Sequence, residues 1–372
     1  MTAPTRHMAD ALRAGIENAA DAHDLFAVTS QRLRRLIPFD AAVWVATDPV
    51  NGLTTAPVRV ENLHEGGCGI YWESEIFAEH VNLFRDLALA PVPVAGLRAT
   101  TGDRPTLSPL YRNFMRPRGF IDELRAVLRV DGQSWGQLSL FRERGRAPFD
   151  DGDLALVHSL STPMARRLRA CAQPAGLPTT DLADSPGLLV FGADGGLLSI
   201  NEQARDLLAE MPPGPITSTP SGIDLPLPVW ILSTSARARL TGDSTKIRVR
   251  ARTGRWLVCH ASCLRDVDGR SSTTALVLAP AAPSEVASLV AAAYELTARE
   301  LEVTELVTRG LSTTDIAATL FLSTHTVRDH VKSIFDKTGV TSRGELVAKL
   351  FTDHCEPLVA LETVRVLDLE AS

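Results

Sequence analysis

Four side chains near the C-terminus, His325, Arg328, Asp329 and Lys332, fall at i, i+3, i+4 and i+7, so in a helix they share one face. Val327, Val331 and Ile334 fall on the other. An imidazole, a guanidinium, a carboxylate and an ammonium turned away from an apolar seam offer donors to phosphate oxygens, and donors and acceptors to base edges. Other chemistry is poorly supplied. Cys259 and Cys263 lie in GRWLVCHASCL, which reads as a strand; four residues there cover about 13 Å, beyond the ~7 Å reach of a disulfide. They are also too far apart to share one ion. His64 and Cys68 lack two further ligands at suitable spacing, so no metal is expected. The five cysteines form no paired framework, and reduced thiols are expected. No nucleophile, base and orienting group stand at workable spacing, and no glycine loop is built to cradle a phosphate. No catalytic residue and no cofactor are therefore expected.

A reading face needs a scaffold of its own. From Leu296 the chain runs LTARELEVTELVTRGLSTTDIAATLFLSTHTVRDHVKSIFDKTGVTSRGELVAKLF, and three capping boxes mark helix starts: Thr297 with Glu300, Ser312 with Asp315, Ser342 with Glu345. Ser323 marks a fourth without an acid partner. Gly310 and Gly339 stand where helices should close, since a left-handed residue costs least without a side chain. Apolar residues assign the inner faces: Val303, Leu306 and Val307; Ile316, Ala317 and Leu320; Val327, Val331, Ile334 and Phe335; Leu346, Val347, Leu350 and Phe351. Four short helices share one small core. Between Tyr294 and Cys355 there are seven basic and nine acidic residues, but Leu322 to Lys349 alone has five and three, a local net of +2. Positive charge gathers around the third helix.

This stretch closely resembles the LuxR-type DNA-binding domain in LTARELEV, GLSTTDIAATLFLSTHTVRDHVKSIFDKTGV and SRGEL. The resemblance implies a helix-turn-helix in which the helix from Ser323 to Lys337 enters the major groove. The helix from Ser312 to Leu320 supports it, and the one from Ser342 often dimerises. It makes Ser323, Thr324, His325, Thr326, Arg328, Asp329, Lys332, Lys337 and Arg343 the expected DNA-binding set. Asp329 is a departure, because like charge repels phosphate; a carboxylate can instead accept from cytosine N4. Either it reads a base or it sits out.

Upstream, Pro and Gly clusters at Ala172–Gly187 and Ala279–Glu285 cut the chain into three parts. The first opens with Leu12, Ile16, Ala19, His23, Phe26, Ser30, Leu33 and Ile37 at alternating spacings of four and three, the face of one helix. AAVWVA reads as a strand, and ELRAVLRVDGQSWGQLSLF as a hairpin turning at Asp131-Gly132. FDDGDLALVHSLSTPMARRLRAC closes the part as a helix with a stripe of Val157, Leu160, Met164, Leu168 and Cys171. LRVDGQSWGQLSLF and FDDGDLALVHSL resemble the last hairpin and closing helix of a GAF domain. The two helical stripes pack either within one subunit or as a bundle between two; the second arrangement would place two reading domains on an inverted repeat.

The second part begins GLLVFGADGGLLSINEQARDLL, strand, turn, strand and helix, and is similar to the opening of a PAS domain. Three more strands are expected in STKIRVRARTGRWLVCHASCLRDVDGRSSTTALVLAP, with turns at Thr253-Gly254 and Asp268-Gly269. Arg248, Arg250 and Arg252 alternate there with Ile247, Val249 and Ala251, the pattern of a solvated strand face.

The expected fold class is thus α+β and multidomain: a GAF-like sensory and dimerisation domain with flanking helices at 1–172 and a PAS-like domain at 184–280. An all-α four-helix helix-turn-helix domain at 285–355 and a tail at 356–372 complete it. With 45% apolar and 22% charged residues the chain has the composition of a folded protein, and a net charge of −6 excludes one that coats nucleic acid indiscriminately. No apolar run approaches the roughly 18–20 residues of a membrane span, and the opening MTAPTRHMADALRAG lacks the apolar core of a secretory signal, so a cytoplasmic protein is expected. These readings point to a sequence-specific transcription regulator. Its expected partners are double-stranded DNA, RNA polymerase, a second copy of the chain, and a small-molecule ligand of unspecified chemistry in the GAF-like or PAS-like pocket. The alternatives are a docking scaffold that acts on RNA polymerase or another regulator without touching DNA, and an enzyme built on one of the pockets.

Overall fold

AAVWVAT forms a strand buried along its whole length because it runs through the interior of a sheet: β1 (Ala41–Thr47) lies between β2 (Thr54–Glu61) and β5 (Gln133–Glu143). The computed structural model describes residues 3–63, 71, 81–172, 185–265, 271–281, 285–286, 289 and 292–352. Val43 stands opposite Val60 on one side and Trp44 opposite Leu138 on the other, both pairings antiparallel. After β2 come α3 (Phe84–Leu89), the edge strand β3 (Val94–Gly96) and α4 (Leu97–Thr101). The expected hairpin is present as β4 (Phe120–Val130) and β5, and Asp131 and Gly132 both take positive φ, 50° and 78°. Such a turn matches the twist of the strands it joins. The order is β2-β1-β5-β4-β3.

The opening helical face is two helices, α1 (Ala3–Glu17) and α2 (Ala22–Leu36), not one. Asp21 accepts from Asp24 N and Asp24 returns to Ala20 N, both at 2.8 Å, so this acid pair starts a new helix. Arg32 of α2 donates to the Ala11 carbonyl of α1, so the two pack together. The spacing rule ran through the break because Ala19, which lies between the helices, is itself buried. The polar positions in the stripe are also accounted for: His23 is exposed, and Ser30 donates to Glu61 at 2.8 Å.

The closing helix α5 (Asp151–Cys171) packs on β4 and β5 and on α1 and α2. Val157, Leu160, Met164 and Leu168 are all buried within this one chain. The bundle between subunits is therefore corrected: the two stripes are filled inside a single subunit.

The second sheet begins as expected with β6 (Gly187–Gly192), a turn through Asp194, and β7 (Leu197–Ile200). Asn201 then caps α6 (Glu202–Ala209), accepting from Ala204 N at 3.0 Å. The proline-rich stretch holds the short pair β8 (Ile216–Thr217) and β9 (Leu227–Pro228) and leads into α7 (Val229–Thr241). The three later strands are β10 (Thr245–Arg250), β11 (Trp256–Arg265) and β12 (Ser271–Pro280). Gly254 turns at φ 87°, whereas Asp268-Gly269 lies outside the described residues. The order β10-β11-β12-β6-β7 repeats that of the first sheet when each sheet's strands are counted from its own start.

Arg248 corrects the solvated-face expectation. It is 9% exposed and its guanidinium lies 2.8 Å from the fully buried Asp48, which follows β1. Arg250 donates to the Cys171 carbonyl at 2.5 Å, while Arg252 is exposed. A two-residue alternation shows which side chains share a face, but not whether another sheet covers it.

Four helices end the described chain: α8 (Ala298–Thr308), α9 (Thr313–Leu320), α10 (Thr324–Thr338) and α11 (Arg343–Thr352). Val303, Val307, Ile316, Val327, Ile334 and Leu346 form their buried core. The chain thus has the expected α+β make-up with an all-α C-terminal part. It divides into two compact units. One gathers both sheets (Met1–Cys171, Ser185–Arg250 and Leu257–Ala279); the other consists of Ala172–Asp184, Ala251–Trp256 and Pro280–Ser372.

Candidate nucleic-acid interface

The supporting helix α9 starts at Ser312, whose hydroxyl accepts from Asp315 N while the Asp315 carboxylate returns to Ser312 N, a complete capping box. It ends at Phe321, in the left-handed region at φ 56° and 96% exposed. Two residues later Ser323 caps α10, accepting from Thr326 N at 3.0 Å and sharing a hydrogen bond with the Thr326 hydroxyl at 2.9 Å. This tight turn joins the two helices, and Ser323, Thr324 and His325 at the start of α10 are exposed.

Thr324, His325, Arg328, Asp329 and Lys332 are exposed, while Val327 and Ile334 are fully buried beneath them. The His325 Nδ1 lies 2.9 Å from Asp329 Oδ2. The imidazole thus stands against one oxygen of Asp329. The other is open to a donor such as a cytosine amino group.

Two residues of the expected set are turned elsewhere. The Lys337 ammonium lies 2.6 Å from Glu300 Oε2 and donates to the Glu295 carbonyl at 2.9 Å. Ser333 donates to the other oxygen of Glu300 at 2.6 Å, and Thr297 N donates to Oε2 at 2.7 Å. Burial alone would push the Glu300 carboxyl up, but the hydrogen bonds from Lys337, Ser333 and Thr297 outweigh it and hold it at about 2. Arg343 donates to the Leu311 carbonyl at 2.8 Å and to the Thr313 hydroxyl at 2.9 Å, tying α11 to the start of α9. Lys337 and Arg343 hold the helices together.

The third expected box is half formed. Ser342 accepts from Glu345 N at 3.1 Å, but the Glu345 carboxylate turns to Thr341 N at 2.7 Å. The Thr341 amide and hydroxyl hold that carboxyl below its usual range. Sequence reasoning missed Arg299, which donates to the Leu320 carbonyl at 2.6 Å and closes α9 where no glycine does. It also treated Glu300 only as a cap, whereas Glu300 joins α8 to α10. The spacing from Glu300 to Lys337 carries no local period that would have revealed the pair.

Chemistry of other kinds is sparse. Cys259 is buried in β11, which pushes its thiol pKa up, and Cys263 is a free thiol four residues along the same strand. His64, Cys68 and Cys355 lie outside the described residues, among which no group of three or more metal-ligating side chains gathers. No helix among the described residues is long and apolar enough to cross a membrane.

The family model for bacterial regulatory proteins of the luxR family matches residues 294–350. The spore germination protein GerE of Bacillus subtilis (strain 168) is 44% identical over 55 residues, 15% of this chain and 74% of the relative. Among solved structures, the GAF domain of an Acinetobacter phosphoenolpyruvate-protein phosphotransferase covers 45% of this chain and 94% of its own at 14% identity and a TM-score of 0.30. A Vibrio cholera VqmA–ligand–DNA complex covers 45% and 82% at 20% identity and a TM-score of 0.23. Scores this low decide nothing about the sheets. The C-terminal match is of another order, for it coincides with the four helices whose caps, core and open face are described above, and by it the chain belongs to the luxR family of bacterial regulatory proteins.

Proposed function

We propose that this regulator binds specific duplex sites by laying the N-terminal half of α10 in the major groove, with the two-sheet unit acting as its input. Arg328 and Asp329 are assigned to base edges, and Thr324 and Lys332 to phosphates. The observation that carries this reading is the exposed face from Thr324 to Lys332 above a fully buried seam of Val327 and Ile334, within the stretch the luxR family model matches. Ser323 and Thr326 serve the cap that aims the helix; Lys337 and Arg343 serve the fold. RNA polymerase and a second copy of the chain belong to the same proposal, and a homodimer would read an inverted repeat.

The test is selection of bound sites from random duplex DNA with the full-length protein. Arg328→Ala and Asp329→Ala should each change the selected motif at one or two positions, each good base contact being worth about 1–3 kcal/mol. Motifs identical to wild type at every base from both variants would remove α10 as the reader. Sedimentation of the full chain at tens of micromolar tests the dimer separately.

A further inference from the structure

Beside the buried pair of Asp48 and Arg248, where the two sheets of the first unit meet, lies a cavity of about 400 Å3. One wall is the β1–β2 turn, which is firmly held: Asp48 accepts from Val50 N at 3.0 Å, and Asn51 donates across to the Lys246 carbonyl of β10 at 2.6 Å. The other walls include Arg85 and Leu89 of α3, Gln137 of β5, and Ser233 and Arg237 of α7. The volume is within the range that holds a small organic ligand. By contrast, the core of the first sheet is filled by Tyr71, Phe114, Phe120 and Phe141, whose neighbouring rings stand 5.3–6.3 Å apart. A cavity against α7 in the second sheet domain, lined by Phe191, Thr217 and Ser235, is smaller, about 100 Å3.

Two features select the ligand. Two guanidinium groups line the cavity and no carboxylate does, among the described residues. At the same time Leu89 is 88% exposed and Val50 52%, large apolar side chains left in water at a concave site. We propose that this cavity binds a small organic anion with an apolar body, Arg85 and Arg237 meeting the charge and Val50 and Leu89 covering the body. Such a ligand touches the β1–β2 turn, α3 and α7 together. It joins elements of both sheet domains, and the site does not depend on how α10 meets DNA.

The test uses the full-length protein and three probes: 8-anilinonaphthalene-1-sulfonate, its uncharged analogue N-phenyl-1-naphthylamine, and inorganic phosphate. The sulfonate should bind saturably at one site per chain, more tightly than the amine or phosphate. Arg85→Gln and Arg237→Gln should each weaken it about tenfold, without changing binding of the amine. Leu89→Ser should weaken both dyes. Both arginines lie on the surface, and unchanged circular dichroism of the variants confirms their fold. No saturable binding, sulfonate affinity insensitive to both arginine changes, or equal affinity for the uncharged analogue would overturn the proposal.

Discussion

Lys332 and Lys337 are five residues apart on one helix, yet they have different work. Lys332 is exposed on the open face of α10, whereas Lys337 is held by Glu300 and the Glu295 carbonyl. Replacing Lys332 by alanine should lower the slope of log affinity against log salt by about one, as loss of a phosphate contact does. Lys337→Ala should leave that slope unchanged. A titration of both variants against wild type checks this, and equal slopes for Lys332→Ala and wild type would take Lys332 out of the interface. Glu300 adds a dependence on pH. Its folded carboxyl sits at about 2 against an ordinary 4.5, so its contribution to stability is fully present above 4.5 and is lost as pH falls through about 2. The shift corresponds to roughly 3 kcal/mol as an upper bound. Protection against hydrogen exchange in α8 and α10, taken relative to the intrinsic amide rate at each pH, should therefore fall between pH 5 and 2.5 in the wild type, and Glu300→Gln should flatten that change.

Among the elements, α5 shows why a helical stripe does not name its partner. Leu160 is 2% exposed inside one subunit, in a helix that rests on β4, β5 and the α1–α2 pair. Leu160→Ala should cost about 2–5 kcal/mol in urea unfolding through the cavity it leaves, with sedimentation unchanged in the folded range. An unchanged unfolding midpoint together with altered association would restore α5 as an interface between subunits. The α1–α2 break carries the same lesson. Asp21 and Asp24 form an acid capping pair that outranks the continuing apolar period, because a carboxylate satisfying free amides starts a new helix wherever the chain can turn.

For the whole molecule, the consequential contact is Asp48 with Arg248, 200 residues apart in sequence and both buried. The Asp48 carboxylate also receives the Arg248 amide at 3.0 Å, and the Thr55 hydroxyl donates to the Arg248 carbonyl at 2.6 Å. The two sheets should therefore unfold together. Arg248→Ala leaves a buried carboxylate without its partner and should destabilise the first unit by about 3–5 kcal/mol, splitting one urea transition into two. Arg248→Met combined with Asp48→Asn should recover part of that loss. A single transition of unchanged midpoint in Arg248→Ala would show that the pair does not couple the sheets.

The C-terminal domain was legible from the residues alone because its determinants are local: caps at Thr297, Ser312 and Ser323, closing glycines at 310 and 339, and an apolar period that sorts Val327 and Ile334 from His325 and Lys332. Hairpin turns such as Asp131-Gly132 were legible for the same reason, since the backbone they need is set within four residues. Tertiary structure alone decided what each face meets. Arg248 reads as solvated until a second sheet covers it, Lys337 reads as one of the DNA-binding set with no sign of its Glu300 partner, and the α5 stripe fits a seam within one subunit or between two until its own sheet fills it. Period and capping act over one or two turns of chain. Burial and ion pairing depend on which distant segment arrives, and that is set by the packing of the whole core.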